Sequence, residues 1–448
     1  MGTTEKVARF VVDFDFSKLP PSGIEQIKIS ILDTIGVALV GAAGPIGAIM
    51  SDFVKEMGGN RQARLIGSGI RTSSLDAAQA NGTLAHAEDY DDVGGFGHPG
   101  VVLTPPALAL GEQWKLPGKK ILEAYAAGFE VGNRMRSLGE VQGQRGFHST
   151  SLLGTMGAAA ESAKLLDLDI AQTRAALGIA ASLASGIMQN AGMYAKPLHG
   201  GHAARSGILA ALLARKGFTG DPDVLEGARG FVYVFGQQQA DVKRIAENLG
   251  KPLAIAESKF LIKAWPCCWG NHPSLTAILR LIEQYDIRPD QVNSIEVVRS
   301  SKPPGPLIRT YPQRGFEGKF SLPYHMATAL VDRKIDLGSY TDEKLARPVI
   351  QNLMKKVKVC QDPELADLPL SLQGESMYVI VTLRLNDGRV LSQREGRGKE
   401  LEGEEVYAKY RDNARIGGVA ANKIERSIEL VKGLEHLRDV SELMDAVS

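Results

Sequence analysis

The sequence predicts a multidomain α and β protein, with a large all-helical domain assembled from both ends of the chain and a smaller α+β domain inserted between them. Three observations lead there. Apolar residues recur at three-to-four spacing through roughly the first 260 residues, strand-like alternation begins after Trp265, and a helical pattern returns from Glu404. The predicted boundaries are 1–264 for the first helical part, 265–401 for the inserted domain and 402–448 for the return. A chain of 448 residues can hold about two or three cores.

Ile24, Ile27, Ile31, Ile35 and Leu39 follow the Pro20-Pro21-Ser22 start at the spacing of an amphipathic helix. Stretches 107–114, 121–131, 152–166, 171–188 and 203–216 continue the pattern, rich in Ala and Gly that let helices approach closely. No fixed period marks a repeat array. In the inserted domain, 292–300 alternates as a strand and 355–360 is another. Residues 377–385 set Val379, Val381, Leu383 and Leu385 on one face before an Asn386-Asp387-Gly388 hairpin turn. Helices are expected at 273–285 and 322–331, and Ile424, Ile428, Val431 and Leu434 mark an amphipathic stretch near the end. A chain that leaves one domain and returns to it predicts a cleft between the two, the usual place for a small-molecule site.

Lysine plus arginine number 52 against 51 acidic residues, which removes the basic footprint of nucleic-acid and anionic-membrane binders. Met1 to Asp15 lacks the apolar core of a signal peptide, and no uninterrupted apolar run reaches about 18 residues. Cys267, Cys268 and Cys360 form no disulfide framework. A cytoplasmic location, without nucleic-acid or membrane partners, is the expectation.

Four stretches place a basic side chain at an expected helix start: His98-Pro99, His148-Ser149-Thr150, Lys196-Pro197 and His272-Pro273. Proline suits the first helical turn and pushes its predecessor out of the helical basin, so each His or Lys is expected at a cap. Free N–H groups and the positive dipole end favour anions there, which points to a pocket for a small polycarboxylic acid. Of the eight histidines, only His436 is expected on an ordinary solvated helix.

The richest segment, 190–207, brings Lys196, His199, His202 and Arg205 to three-residue steps on one helical face, a cluster of bases with no acidic partner in the same segment. His199 and His202 could equally be bonding nearby carbonyls. Segment 86–100 sets His86 and His98 beside Glu88, Asp89, Asp91 and Asp92, the composition either of a metal site or of carboxylates that orient a histidine. In Lys263-Ala-Trp-Pro-Cys-Cys-Trp-Gly-Asn-His272 the adjacent cysteines lack the spacer of zinc motifs, leaving a nucleophilic thiol or an inert buried one. Segment 318–325 adds Lys319, Ser321 and Tyr324. Gly41 to Gly47 does not match a dinucleotide fingerprint, and no Walker sequence occurs.

In this order, the segments resemble the MmgE/PrpD family, which includes 2-methylcitrate dehydratase, cis-aconitate decarboxylase and iminodisuccinate epimerase. The resemblance spans nearly the whole chain. It is carried by Leu32-Asp-Thr-Ile-Gly36, Asn81-Gly-Thr-Leu-Ala-His-Ala-Glu-Asp-Tyr-Asp-Asp92 with His98-Pro99, Gly146-Phe-His-Ser-Thr150, Lys196-Pro-Leu-His199, Trp265-Pro-Cys-Cys268 and Lys319-Phe-Ser321. It implies the MmgE/PrpD fold, a homodimer, and catalysis without a metal or organic cofactor. It also implies active-site roles for Asp89, His98, His148, Lys196, Lys263 and Tyr324. Val93 stands where the mammalian-type decarboxylase has threonine, and Cys268 where it has histidine, which argues against itaconate formation.

The expected activity is that of a cofactor-independent lyase of the 2-methylcitrate dehydratase type, acting on a small di- or tricarboxylic acid. An epimerase or isomerase of an aspartate-like or aconitate-like acid is the alternative. A metal-dependent hydrolase on His86, Asp89 and Asp91 is the rival from another class, and a silent scaffold the third reading. In the lyase reading Lys196, Lys263 and Arg205 hold carboxylates, His148 and His98 exchange protons, and Asp89 orients one of them. His199, Cys268, His272, Lys319 and Tyr324 complete the expected substrate contacts.

Overall fold

The computed structural model describes residues 1–138, 145–236, 241–299, 307–362 and 378–448. The chain divides into a larger unit of Met1–Ile187, Lys196–Ile262 and Leu401–Ser448 and a smaller unit of Met188–Ala195 and Lys263–Glu400. Residues 188–195 thus belong with the smaller unit, where the sequence placed them in the helical domain. Ala191 packs there on Cys268 and Phe320, and the Arg309 guanidinium donates to the carbonyls of Ala191 at 2.8 Å and Gln189 at 3.1 Å.

The larger unit is helical. Its helices are α1 (Thr3–Asp13), α2 (Pro21–Ala43), α3 (Pro45–Met57), α4 (Ser74–His86), α5 (Pro99–Trp114), α6 (Gly118–Arg134), α7 (Ser149–Leu165), α8 (Ile170–Leu183) and α9 (Ala195–Arg215). α5 joins the start expected at Pro99 to the apolar stretch from Ala107 and runs through Pro105-Pro106, because packing of a buried helix outweighs the backbone bonds those prolines cannot make. α2 is apolar and long enough to cross a membrane although Glu25, Lys28 and Asp33 interrupt its apolar run; 78% of its most apolar window is buried inside the structure.

The smaller unit follows with α10 (His272–Tyr285), α11 (Leu322–Asp332) and α12 (Pro348–Lys355) around a sheet of β1 (Val292–Arg299), β2 (Val357–Gln361), β3 (Val379–Leu385) and β4 (Val390–Glu395). Ser300 and Met377, expected as strand ends, lie outside the described residues. The sheet order is β2-β1-β3-β4; β1 and β2 are parallel and the other neighbours antiparallel. Val379, Val381, Leu383 and Leu385 all turn inward, as their alternation requires. A register shift between Val292 and Ser294 lets both Val292 and Ile295 face the core. The chain then returns to the larger unit as α13 (Glu404–Ile416), α14 (Ala421–Lys432) and α15 (Ser441–Ala446). His436 sits at the end of a short 3₁₀ turn instead of on a regular helix.

Glycine sets how closely the helices meet. A Cβ on Gly82 of α4 would lie 2.8 Å from the Gly201 Cα of α9, and one on Gly200 would lie 3.0 Å from Val101 Cγ2 of α5. α4, α5 and α9 therefore cross with backbone near backbone, and α4 ends and α5 and α9 begin in one neighbourhood.

Beneath it lies a buried polar network. The Asp92 carboxylate accepts from the Gly100 N–H at 3.0 Å and from the Ser30 hydroxyl, which lies 2.7 Å from the Tyr125 hydroxyl. Burial pushes the Asp92 carboxyl up to about 8, with the charges of Asp33 and Asp91 adding to it. Lys409 of α13 pairs with Asp33 at 2.7 Å and donates to the Tyr90 carbonyl at 2.7 Å, so the returning segment ties down the chain beside Asp92.

Two stability tests follow. Gly82→Ala should destabilise by about 1–3 kcal/mol through overpacking, read as a lower denaturation midpoint with unchanged m-value. The folded Asp92 carboxyl titrates above its ordinary value, so its contribution is intact below about pH 4 and lost as pH rises through about 8. Asp92→Asn mimics the protonated acid, and the melting temperature of the native protein should fall relative to this variant between those pH values. A pH-independent difference would contradict the assignment.

Candidate active site

His98 is the N-cap of α5 and His148 the N-cap of α7, as their neighbours predict. The other two expected caps differ. Lys196 lies inside the first turn of α9, which begins at Ala195, and His272 opens α10 behind an Asn271 cap. A proline in the first turn costs no intrahelical bond, so it does not by itself fix which residue is the cap.

The larger unit gathers His86, His98, His148 and His199. Ring centroids are 4.8 Å apart for His86 and His98, 5.7 Å for His86 and His148, and 5.3 Å for His148 and His199. His86 ends α4, His199 lies on α9, and the glycine crossings described above let these elements converge. The turn between α4 and α5 supplies the acids, with Asp89 held at a positive φ of 50°. Gly97, at φ 135°, leaves room for Thr150, whose hydroxyl accepts from the His98 N–H at 3.2 Å and so joins the two histidine caps.

Asp91 is the hub. One carboxylate oxygen lies 2.9 Å from His86 Nδ1 and the other 2.7 Å from His98 Nδ1, which also lies 2.9 Å from the Asp92 carbonyl. Acceptors on Nδ1 place the proton there, so a neutral His98 presents an unprotonated Nε2. Burial works against the Asp91 anion, but the charge interactions and hydrogen bonds of its two histidines hold it well below the usual carboxylate range. His86 is driven down to about 3, by burial first and then by Lys196 and His98 against the pull of Asp91, and its Nε2 has no hydrogen-bond partner among the described residues. Burial and Lys196 also hold His148 well below its ordinary value and His199 at about 4. The imidazoles of His86, His148 and His199 are therefore neutral bases at neutral pH.

The carboxylate–histidine contact expected of Asp89 is made by Asp91. Asp89 instead faces the Lys196 ammonium at 3.4 Å, both groups being buried. Ligand atoms of His86, Asp89, Asp91 and His98 lie within 4.8 Å of one another, a spacing open to a metal ion. The donors do not suit one, since both Asp91 oxygens already accept from imidazoles and a lysine ammonium sits against Asp89. Unprotonated ring nitrogens beside an ammonium and an ionised carboxylate are groups able to take and give protons.

Arg205 departs from expectation. Its guanidinium pairs with Asp76 in the first turn of α4, and His202 Nε2 lies 3.3 Å from the Leu183 carbonyl.

Lys263, Cys268, His272, Lys319 and Tyr324 belong to the smaller unit. Lys263 is fully buried in a short strand. The Cys268 N–H donates to the Lys319 carbonyl at 3.1 Å, and its side chain packs on Ala191 and Phe320. Lys319 turns inward, donating to the Pro266 carbonyl at 3.0 Å and lying 4.1 Å from the Tyr340 ring centroid. His272 is buried against Trp265 and Trp269. Tyr324 sits in the apolar core with its hydroxyl on the Ser339 carbonyl. These are the contacts of Lys319, His272 and Tyr324 within the smaller unit, for which the sequence reading expected substrate contacts.

Comparison with known proteins agrees with this architecture. The MmgE/PrpD N-terminal domain matches residues 5–243 and the MmgE/PrpD C-terminal domain matches residues 265–435. Cis-aconitate decarboxylase of Homo sapiens is 29% identical, covering 98% of this chain and 93% of its own. The Mus musculus protein of that name is 27% identical over 99% and 92%, and the Aspergillus terreus one 27% over 100% and 96%. With both domains matched in order and the histidine, lysine and aspartate cluster in place, the chain belongs to the MmgE/PrpD family.

Proposed function

We propose that this chain is a cofactor-independent lyase acting on a small tricarboxylic acid of the aconitate or citrate type, breaking a bond beside a carboxylate. The observation that supports it most is the convergence of His98, His148 and Lys196 with the carboxylates of Asp91 and Asp89. Removing a proton next to a carboxylate builds enediolate charge, which a fixed ammonium and the positive ends of α5 and α7 stabilise. His148 is the base, and His98, whose Nδ1 is committed to Asp91, is the acid, because the Asp91 anion stabilises an imidazolium at that ring. Lys196 leaves or shares Asp89 to meet the carboxylate.

Within that class, we favour carbon–oxygen cleavage, of the 2-methylcitrate dehydratase type. Dehydration needs one group to take the proton and another to protonate the departing hydroxide, and His98 and His148 stand 6.4 Å apart between ring centroids with separate partners. The second reading is decarboxylation, favoured by similarity to the cis-aconitate decarboxylases. There a protonated imidazole would deliver its proton to carbon after carbon dioxide leaves.

Incubation with 2-methylcitrate, citrate and cis-aconitate in deuterated water, followed by proton NMR, separates the readings. Water loss or addition with deuterium at the neighbouring carbon is the expected result. Carbon dioxide release points to decarboxylation, and inversion without net change to an isomerase. Activity that disappears on chelation and returns with a divalent ion would refute the metal-free mechanism. In the active reaction, Asp91→Asn should lower kcat by about 10²-fold or more by releasing the His98 tautomer, and Lys196→Met should lower kcat/KM by a similar factor. Near-native rates in both would remove these residues from the mechanism.

A further inference from the structure

His148 does not cap its own helix through its ring; its backbone N–H donates to the Gly186 carbonyl at 3.0 Å and the imidazole turns toward α9. There its Nδ1 meets the Nδ1 of His199 at 3.2 Å. Two lone pairs or two N–H groups cannot face each other at that distance, so one proton lies between the rings. Gly186, at φ 116°, makes the approach possible: a Cβ there would lie 2.9 Å from Ser151 Cβ and 3.4 Å from His199 Cγ. On its other face His148 stacks on His86 at an interplanar angle of 10°. The ring thus has one imidazole at its Nδ1 edge and another parallel to its face.

We propose that His199 is a positioning residue for His148 and carries the charge that proton transfer creates there. The inference rests on the reading that the cluster removes or returns a proton beside a carboxylate. In the resting pair His148 holds the bridging Nδ1 proton and presents Nε2. When a substrate C–H bond breaks, its electron pair remains on carbon as the enediolate and the proton goes to His148 Nε2. The bridging proton then crosses to His199 Nδ1, leaving His148 neutral with its proton on Nε2 and His199 as the imidazolium. Reversal restores the start.

Burial gives this direction a reason. His148 is 6% exposed, whereas His199 is only partly buried, so the cation moves from a dry ring to one that water reaches. Lys196, His86 and His98 face His148, and Lys196 and His202 face His199. Asp89 is paired with Lys196, and Asp91 with His86 and His98. All the near cations and bases therefore oppose a charge resting on His148. The partly exposed ring also gives the abstracted proton a route to solvent.

The test compares native protein, His199→Phe and His199→Asn with cis-aconitate or 2-methylcitrate as probe, alongside ¹⁵N NMR of histidine-labelled ligand-free protein. His199→Phe keeps a ring but no acceptor. It should lower kcat by about 10²-fold with KM within about threefold, cut deuterium incorporation per turnover, and shift the His148 Nδ1 resonance. The Asn carbonyl can accept the His148 Nδ1 proton but cannot carry it away, so His199→Asn should restore about tenfold of kcat without restoring exchange. Native kcat and an unchanged His148 resonance in His199→Phe overturn the proposal. If native protein neither converts nor exchanges either acid, the functional reading fails while the NMR comparison still decides the pairing. A His148 resonance that moves in both variants supports the shared proton, and one that moves in neither overturns it.

Discussion

A carboxylate that stays ionised inside a dry helical core needs donors on both oxygens, and Asp91 has them in His86 and His98. That fork fixes the end of α4 to the start of α5 and sets which nitrogen of each ring holds a proton. It also makes the neighbouring carboxyl expensive to charge. Asp92, next in sequence and fully buried, is pushed up to about 8 by burial and by the charges around it. Adjacent acids thus take opposite roles: Asp91 is an anion serving two imidazoles, and Asp92 is a neutral hydrogen-bonding group joining α2, α5 and α6 through Ser30, Gly100 and Tyr125.

The fork needs close backbones. α4, α5 and α9 carry Gly82, Gly200 and Gly201 where they cross, and a methyl group at these points would force the helices apart. The Ala- and Gly-rich helix faces that look undistinguished in sequence are what let basic groups from distant parts of the chain meet. They also remove water, which keeps the His86 and His148 rings neutral beside Lys196.

Much of this was legible before the structure. Apolar spacing gave α2, strand alternation gave the inward face of β3, and His-Pro and His-Ser-Thr gave the caps of α5 and α7. The histidine and lysine cluster of the larger unit also followed from composition and order. What failed was geometry that sequence spacing does not encode. Arg205 shares a helical face with Lys196 and His199 by its three-residue steps, yet Asp76 from another helix claims it. Nor does spacing show that the Lys319 ammonium donates to the Pro266 carbonyl and the Tyr324 hydroxyl to the Ser339 carbonyl. Between Asp89 and Asp91 only coordinates decide, because a turn with positive φ at Asp89 directs neighbouring carboxylates to different partners.

The two histidine caps solve one electrostatic problem in different ways. A helix N-terminus attracts a carboxylate substrate and, by the same dipole, disfavours a protonated imidazole. That is useful while the histidine acts as a base and a burden once it has taken the proton. At His98 a fixed anion, Asp91, compensates in place. At His148 no carboxylate is within the contacts of the ring among the described residues; the neighbour is another imidazole, so compensation can come only by moving the proton onward. One arm therefore holds its proton close to the reacting carbon and the other is built to lose it. A pair with that asymmetry can hold a proton at one end of a bound acid and exchange one with water at the other.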